Sequence, residues 1–445
     1  MRGQSEGATS QREGRFHGNS ENVENARTCT RNTGLAAVVG LACVVPLLLT
    51  ISPWLLTGRG IDEFATINDL YYSVAIRVSQ GQVPYRDFML EYPIGSLPQI
   101  VLPILAGRSV PAYRCAYIAE MLLINALMVQ VLAWQVGRRE GLTAVPRRLG
   151  WYFLCYFFLC RMIVSRIDLV PALLAFLAAV EWFGSRPIVG GILAGLGGLV
   201  KIFPVLVAIP AGLRELSRPR ETWLRGSIAF TCSSVIGVGL WYLLGGPGLM
   251  TSILYHAERG LEIECLYAGS LMVLGRLTGE PIVVEPGHGS YELHCAMAPA
   301  AVAASRYVQL LALVFALVPF VRSRRRSGVQ CAGALILGLI LAAPVFSPQF
   351  LIWVLPFILV MSGSLGRRAR PLYALICVLT FPIYPVFFHR GLIPLWMSAV
   401  LLLNLRNSLL IVLWLLMVFG TESVPQPADL IVNHGDSAGS AHAHE

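Results

Sequence analysis

Long apolar runs separated by short arginine-rich segments organise this chain. The runs recur from about residue 35 to about residue 419, and most contain the roughly 20 apolar residues that a helix needs to cross a bilayer. They predict an all-α integral membrane protein, a multi-span helical bundle of about twelve transmembrane helices. Two long polar segments interrupt the pattern, at about residues 58–112 and 247–299.

The arginine clusters orient the predicted spans. Cytoplasmic loops carry an excess of basic residues, so each cluster marks the cytoplasmic side. With the N-terminus inside, both long polar segments lie outside and both termini are cytoplasmic. Residues 1–33 and 421–445 are predicted to be disordered cytoplasmic tails that flank a transmembrane domain at 34–420. The clusters are Arg138–Arg139, Arg147–Arg148, Arg214 to Arg225, Arg322 to Arg326 and Arg367 to Arg370.

Three segments depart from the regular alternation of spans and loops. Pro93 to Gly107 is apolar but too short for a crossing, and we predict a re-entrant or surface-lying helix. Pro187 to Leu213 is too long for one span. Because proline interrupts helices, we predict two half-spans that meet at Lys201 to Pro204. Residues 251–272 predict one amphipathic helix of the kind found at membrane interfaces.

Composition supports a membrane protein and narrows its partners. The chain is 56% hydrophobic and 13% charged, whereas soluble domains carry about 25% charged residues. Its net charge of +9 is explained by the topological arginines, and no loop is long enough for a nucleic-acid surface, so no nucleic-acid partner is expected. The ten cysteines show no metal-ligand spacing, and no nucleotide-binding motif occurs. We therefore expect no cofactor and no metal site.

Ionisable residues beside the membrane supply the candidate chemistry, because such residues are costly there and usually functional. Asp69 is a candidate general base or a helix-start carboxylate, and Asp62 and Asp87 compete with it, although Asp87 is more typical of a turn. Lys201 either reaches an anion such as a phosphate or extends towards the interface.

Two further groups of polar residues lie in the predicted outer segments. Arg166 and Asp168 could simply pair with each other. His256 and Arg259 stand three apart, on one face of a helix, and are either structural or part of a site.

Several of these stretches together resemble the actinobacterial polyprenyl-phosphate-mannose-dependent α-mannosyltransferases of the GT-C superfamily, the group of the phosphatidylinositol mannoside mannosyltransferases. The resemblance spans about residues 35–420, and the order and common membrane side of the motifs carry it. The sequence departs from the family pattern at Ile94 and at Glu262 to Cys265, which leaves the acceptor open. The matching stretches are Asp69-Leu-Tyr-Tyr, Gly81 to Phe88, Glu91-Tyr-Pro, Arg166-Ile-Asp168, Lys201-Ile-Phe-Pro, Tyr255-His256, Arg259 to Glu264, and Ser347-Pro-Gln with Trp353.

The resemblance implies a GT-C type bundle and a glycosyltransferase. Its substrates would be a polyprenyl-phosphate sugar, expected to be mannose, and a cell-envelope glycolipid or glycan on the outer face. Asp69 would be the catalytic base and His256 would assist it, while Lys201, Arg166 and Arg259 would bind the donor phosphate. The remaining motif residues would contact substrates: Tyr72, Arg86, Glu91, Tyr92, Asp168 and Gln349.

Two other classes of protein share parts of this pattern. A secondary transporter would also have about twelve spans and a broken helix, and a flippase or polymerase of lipid-linked sugars would also have large outer loops. The sequence shows no internal repeat, and its unexplained charges gather on one side of the membrane. Both features favour the enzyme over the transporter.

Overall fold

The computed structural model describes residues 40, 44–48, 64–217, 224–323 and 326–422. Most of the predicted first span, Asp62 and nearly all of both predicted tails lie outside the described residues. The described part is built almost entirely of helices.

From residue 64 onward, the described residues contain fifteen α-helices, linked by short 3₁₀ and π-helical turns. In chain order they are α1 (Tyr72–Ser79), α2 (Leu97–Val101), α3 (Val110–Glu140), α4 (Val145–Ser165), α5 (Leu169–Phe183), α6 (Pro187–Val200), α7 (Ala208–Glu215), α8 (Arg225–Gly245), α9 (Gly248–Ala257), α10 (Leu266–Thr278), α11 (Ala298–Arg322), α12 (Gly328–Ala342), α13 (Leu351–Val360), α14 (Gly363–Phe381) and α15 (Met397–Phe419).

Helix length and composition make this an all-α, multi-span membrane protein, which confirms the predicted fold class. In the described part of the chain, six helices are long and apolar enough to cross a membrane, and five shorter apolar helices accompany them. The long helices contain α3, α4, α8, α11, α14 and α15. Sequence signals set several boundaries: Pro111 and Pro146 occupy first-turn positions of α3 and α4, where a missing N–H costs nothing.

The predicted helix break at Lys201 is confirmed. Helix α6 ends at Val200 and Lys201 adopts an extended conformation. The chain resumes as a 3₁₀ helix at Phe203–Val207, which contains Pro204 near its start, and then as α7. A proline there lacks the N–H that a continuous helix would need, so the two helices meet at a corner.

Two long loops lie at the same end of the bundle, because they contact each other. The first loop (residues 64–109) begins with a π-helix, Thr66–Tyr71, that continues into α1. Its apolar segment Ile94 to Ala106 forms three short helical pieces, of which the middle one is α2. The second loop (residues 246–297) holds α9, α10 and a β-hairpin.

The prediction of one amphipathic helix over residues 251–272 was wrong. Helix α9 ends at Ala257, and residues 258–265 are not helical. The hairpin explains why: its strands β1 (Val283–Gly287) and β2 (Ser290–His294) are joined at a two-residue turn with positive φ at both residues. Backbone amides of Ile263 and Leu293 donate to the carbonyls of Tyr291 and Leu261, so β2 holds the intervening segment extended.

Two apolar clusters form the core. The larger fills the bundle between α3–α6 and α12–α15. The smaller packs the first loop onto the loop-side ends of α3, α5, α6 and α8, and its large side chains include Tyr71, Tyr113, Tyr117 and Trp241. The first loop is therefore a folded part of the bundle, fixed where α6 ends at the Lys201 corner.

Candidate functional site

A sharp corner between α4 and α5 presents Arg166 and Asp168. The last turn of α4 closes with the Arg166 amide donating to the Met162 carbonyl, after which Arg166 is extended. Asp168 immediately precedes α5, yet its carboxylate caps no backbone amide there. Both side chains are therefore free to serve contacts other than helix capping.

Asp168 and Lys201 form a buried ion pair between two such corners. Lys201 Nζ lies 2.7 Å from Asp168 Oδ1, and the Asp168 side chain is 2% exposed against 18% for that of Lys201. The indole Nε1 of Trp353 donates to the same oxygen at 2.6 Å. The anion that Lys201 reaches is thus Asp168. Arg166 makes no hydrogen bond to this carboxylate within the described residues, so the pairing of Arg166 with Asp168 that the sequence left open is not observed.

An aromatic stack surrounds the Lys201–Asp168 pair. The Trp353 ring stacks between the rings of Phe203 and Phe350, with centroids 4.1 Å apart on both sides. Lys201 Nζ lies 5.2 Å from the Trp353 ring centroid and 5.4 Å from that of Phe350. Aromatic faces attract a cation, and this contact is stronger where water is excluded. The stack therefore stabilises the ammonium group beside its carboxylate.

Tyrosine hydroxyls of the first loop lie beside Arg166. Tyr71 is fully buried, and its hydroxyl donates to that of Tyr92 at 3.3 Å. Burial raises the pKa of Tyr71 to about 12, and the nearby positive charge of Arg166 lowers it in part. Arg166 also lies in the electrostatic neighbourhood of Tyr92 and Tyr384. The guanidinium thus lies among tyrosine hydroxyls and within the electrostatic reach of Asp168, whereas Lys201 contacts that carboxylate directly.

Side chains of helix α9, in the second loop, hydrogen-bond to Glu91 of the first loop. His256 Nε2 lies 2.8 Å from the Glu91 carbonyl, and Ser252 Oγ donates to the same carbonyl at 3.3 Å. Tyr255 also interacts electrostatically with the Glu91 carboxylate. A carbonyl only accepts, so Nε2 of His256 must carry a proton and Nδ1 keeps its lone pair in the neutral ring.

The charge state of His256 follows from its surroundings. Loss of hydration lowers its pKa, and the positive charges of Arg259 and Lys201 lower it further against the opposing effect of Glu91. The neutral imidazole is therefore favoured, and the same neighbours show that His256 lies near the Lys201 corner.

Close backbone approaches bring the first loop to this site. A Cβ on Gly95 would lie 2.7 Å from the Leu199 carbonyl carbon and oxygen, two residues before Lys201. Tyr85 packs onto Gly245 at the end of α8 and onto Gly248 at the start of α9. Its hydroxyl donates to the Tyr92 carbonyl at 2.7 Å. Tyr85 itself has φ of 70°, a conformation that is uncommon outside glycine, and its amide bonds the Phe88 carbonyl.

Asp69 lies apart from these contacts. It is exposed within the π-helix Thr66–Tyr71, two residues before Tyr71. Within the described residues its carboxylate has no hydrogen-bond or ion-pair partner. Single π-helical turns within helices occur frequently at functional sites, and an unpaired, hydrated carboxylate is available to accept a proton.

Four other predicted site residues have partners outside the Asp168–Lys201 pair. Arg86 pairs with Asp87 at 2.9 Å on the surface, and Asp87 also accepts the Val83 amide at 2.7 Å, which is the contact of a turn residue. The Tyr72 hydroxyl donates to the Arg108 carbonyl at 2.6 Å. The other two contacts are Ser347 Oγ to Gln349 Oε1 at 2.8 Å and Arg259 Nη2 to Ser290 Oγ at 3.5 Å.

The sequence did not single out several residues that build the site. Ser252 shares its helix face with His256, and their spacing of four residues was the available signal. Phe350 was not singled out either, and the stacking of Trp353 between Phe203 and Phe350 depends on two segments about 150 residues apart in the sequence. No group of three or more His, Cys, Asp or Glu side chains suited to a metal ion occurs in the described ranges.

A buried cluster of charged residues lies between the second loop and α15. Glu262 and Glu264 are nearly inaccessible, and Arg406 of α15 is fully buried. Arg406 Nη2 lies 3.9 Å from Glu264 Oε1, and its guanidinium lies 4.2 Å from the Phe346 ring centroid. Burial raises the pKa of Glu262 to about 8 and that of Glu264 to about 7, although Arg259 and Arg406 oppose these shifts. Glu262 therefore carries its proton over much of the neutral pH range.

The fold and its sites define a multi-pass membrane protein whose two long loops meet a charged corner of the bundle. No protein-family model matches the sequence, and no curated protein matches it. Among solved structures, the chain is similar to the crystal structure of ArnT from Cupriavidus metallidurans in the apo state. The identity is 13%, the match covers 87% of this chain and 78% of that one, and the TM-score is 0.41.

Proposed function

We propose that this protein is a membrane glycosyltransferase of the GT-C type. It transfers a sugar, proposed to be mannose, from a polyprenyl-phosphate donor to a glycolipid or glycan of the cell envelope. The transfer takes place on the extracytoplasmic face, with both termini in the cytoplasm. The sequence motifs that resemble polyprenyl-phosphate-dependent mannosyltransferases are the starting point of this proposal.

The observation that carries the proposal is the convergence of separate motifs around the Asp168–Lys201 pair. The Arg166 corner, the Lys201 corner and Trp353 meet there through direct contacts. The first loop approaches the same corner where Gly95 meets Leu199, and its Glu91 carbonyl contacts His256 of the second loop. A site made of basic, carboxylate and imidazole groups at a membrane surface suits a phosphate-linked substrate that arrives from the lipid.

Asp69 is the proposed general base. The acceptor hydroxyl gives its proton to the Asp69 carboxylate as its oxygen attacks the anomeric carbon of the donor sugar. The bond between that carbon and the phosphate oxygen breaks, and the polyprenyl phosphate leaves with the electron pair. The product carries a new glycosidic bond of inverted configuration. The exposed Asp69 carboxylate, unpaired within the described residues, supports this role.

Arg166 is the foremost candidate for the donor phosphate. Guanidinium groups bind phosphate oxygens through paired, charge-assisted hydrogen bonds, and Arg166 lies near three tyrosines and Asp168 without a hydrogen bond to that carboxylate in the described part of the chain. The charge of Lys201 is already balanced by Asp168. Lys201 therefore contacts the phosphate as one half of a neutral pair, and Arg259 is a third possible ligand from the second loop.

His256 and Glu91 have proposed supporting roles near the acceptor. With Nε2–H held by the Glu91 carbonyl, the Nδ1 lone pair of His256 can accept a hydrogen bond from a sugar hydroxyl. The other proposed substrate contacts are Tyr72, Arg86, Tyr92, Asp168 and Gln349.

Sugar transfer from radiolabelled polyprenyl-phosphate mannose, in membranes that contain the protein, tests the proposal. Asp69→Asn should reduce the transfer rate about 10²-fold or more, the usual contribution of a general base. Glu285→Gln, which changes an exposed carboxylate of the second loop, is the control and should retain activity. Full activity of Asp69→Asn would overturn the assignment of the base.

Arg166→Gln tests the phosphate contact in the same assay. Loss of a charged group that stabilises the leaving phosphate should lower kcat by about 10²-fold. Arg77→Gln, which removes an exposed arginine of the same region, should be near wild type. Flux of an intact solute across vesicles without any new glycosidic bond would instead indicate a transporter.

A further inference from the structure

Helix α9 has an exposed apolar face. Met250, Ile253 and Leu254 are each about half exposed, at 54%, 48% and 47%. Their spacing of three and four residues puts them on one side of the helix. Helix α9 contains no Asp, Glu, Lys or Arg, so nothing on this face favours bulk water over hydrocarbon.

The opposite face of α9 is the one that holds Glu91. Ser252 and His256 contact the Glu91 carbonyl, and Tyr255 interacts electrostatically with the Glu91 carboxylate. At 3.6 residues per turn, the centre of this face lies about 160° from the centre of the apolar face. The helix is therefore fixed in rotation by its polar contacts, and the apolar face must point away from the site.

The apolar face of α9 continues a surface that faces lipid. Helix α8 is long and apolar enough to span the membrane, and only 17% of its most apolar window is buried within the protein. Leu243 and Leu244 in its last turn are 79% and 51% exposed. Only Gly246 and Pro247 separate α8 from α9, so α9 begins at the depth where the span ends.

A cavity beside the same junction supports this placement. It has a volume of about 280 Å³, and its lining is almost wholly apolar. Leu244 contributes to it, together with Val78, Val83, Ile94 and Leu97 of the first loop. Apolar surface of the first loop thus lies level with the end of α8, as expected where protein meets the hydrocarbon of a leaflet.

We propose that α9 is a membrane-contacting clamp. Met250, Ile253 and Leu254 lie in the lipid of the leaflet on the side of the two long loops, while Ser252, Tyr255 and His256 hold the Glu91 segment against the bundle. The apolar face of α9 contacts the acyl chains of the lipids. An amphipathic helix of this kind lies in the interface plane with its apolar side in the boundary between headgroups and chains. Contact of α9 with the membrane does not depend on the proposed catalytic activity.

Site-specific photo-crosslinking in lipid nanodiscs tests the clamp without any activity assay. The photoreactive residue p-benzoylphenylalanine replaces Ile253 in one variant and Met250 in a second, in discs of phosphatidylcholine and phosphatidylglycerol. Replacement of Leu243 sets the yield of a lipid-facing span. Replacement of Glu258, an exposed residue that directly follows α9, is the matched control. All four positions are exposed, so the substitutions should be tolerated by the fold.

Illumination should give lipid adducts, detected as mass increases of one phospholipid, at Ile253 and Met250 in yields similar to Leu243. The yield at Glu258 should be several-fold lower. Equal yields at Ile253 and Glu258, or no lipid adduct at Ile253, would overturn the proposal. Crosslinks from Ile253 to a second copy of the chain would overturn it as well, since that copy would then cover the face.

Discussion

Asp168 Oδ1 accepts two hydrogen bonds at once, from Lys201 Nζ at 2.7 Å and from Trp353 Nε1 at 2.6 Å. These residues come from the α4–α5 corner, the α6 corner and α13. One carboxylate oxygen therefore connects three separate parts of the bundle. Because Asp168 is nearly inaccessible to solvent, its charge depends on Lys201 for compensation.

The first prediction concerns the charge of this pair. Asp168→Ala leaves the Lys201 ammonium unpaired and half surrounded by aromatic rings. Loss of one partner of a buried pair costs about 3 kcal/mol of unfolding free energy, and removal of both partners costs less. We therefore expect Asp168→Ala to unfold more readily than the double variant Asp168→Ala/Lys201→Met.

Thermal unfolding of the purified protein in one detergent, followed by intrinsic fluorescence, measures this order. Trp353→Phe provides a control that keeps an aromatic ring in the stack and removes one hydrogen bond, which should cost about 1.5–3 kcal/mol. A double variant at least as unstable as Asp168→Ala would show that the two residues do not depend on each other for charge compensation.

The second prediction concerns the fit of the first loop onto α6. A Cβ at Gly95 would meet the Leu199 main chain, which cannot rotate away as a side chain can. Gly95→Ala should therefore cost about 1–3 kcal/mol of stability and move Glu91 relative to Lys201. The unfolding temperature and the rate of sugar transfer should both fall.

Gly239→Ala is the matched control for this substitution. Gly239 lies within α8, and no atom lies within 4 Å of its added Cβ. Alanine favours helix over glycine by about 1 kcal/mol, so this variant should be unchanged or slightly more stable. A Gly95→Ala protein as stable and active as Gly239→Ala would contradict the close approach.

The third prediction concerns pH. Burial raises the pKa of Glu262 from 4.5 to about 8 in the folded protein. The folded state therefore binds the proton more tightly than the unfolded state, and this contribution to stability is complete below pH 4.5 and lost as pH rises to about 8. Thermal stability should fall across this window.

Glu262→Gln, which mimics the protonated carboxyl, should remove at least about 1.4 kcal/mol of that fall, the equivalent of one pKa unit. A smaller fall of stability with pH should remain in this variant, because the pKa of Glu264 is also raised. The exposed Glu258→Gln should leave the pH profile of unfolding temperature as it is in the wild type. A Glu262→Gln profile parallel to the wild type would mean that Glu262 is charged in the folded protein.

The spans could be predicted from sequence because bilayer thickness and proline chemistry act locally. The break at Lys201 falls at the predicted position, where Pro204 interrupts the helix. The hairpin was missed although its signal was present. Two valines precede a Pro-Gly-His-Gly turn, and Tyr291 and Leu293 alternate with acidic Glu292 after it.

The partners within the site could not be predicted in the same way. Arg166 is two residues from Asp168, and Lys201 is thirty-three residues away, so the local sequence left the partner of Asp168 open. Only the packing of α5 against α6 and α13 brings Lys201 and Trp353 to the carboxylate. The contact of His256 with Glu91 likewise depends on the second loop folding over the first.

The packing of Tyr85 on Gly245 and Gly248 makes the site sensitive to bilayer thickness. Helix α8 is largely exposed, as expected of a span that faces lipid, and a span responds to a thicker or thinner bilayer by a change of tilt. Its last residue touches Tyr85, whose hydroxyl holds the Tyr92 carbonyl. A tilt of α8 would therefore shift the Glu91 segment, and we expect sugar transfer to vary with acyl-chain length in reconstituted membranes.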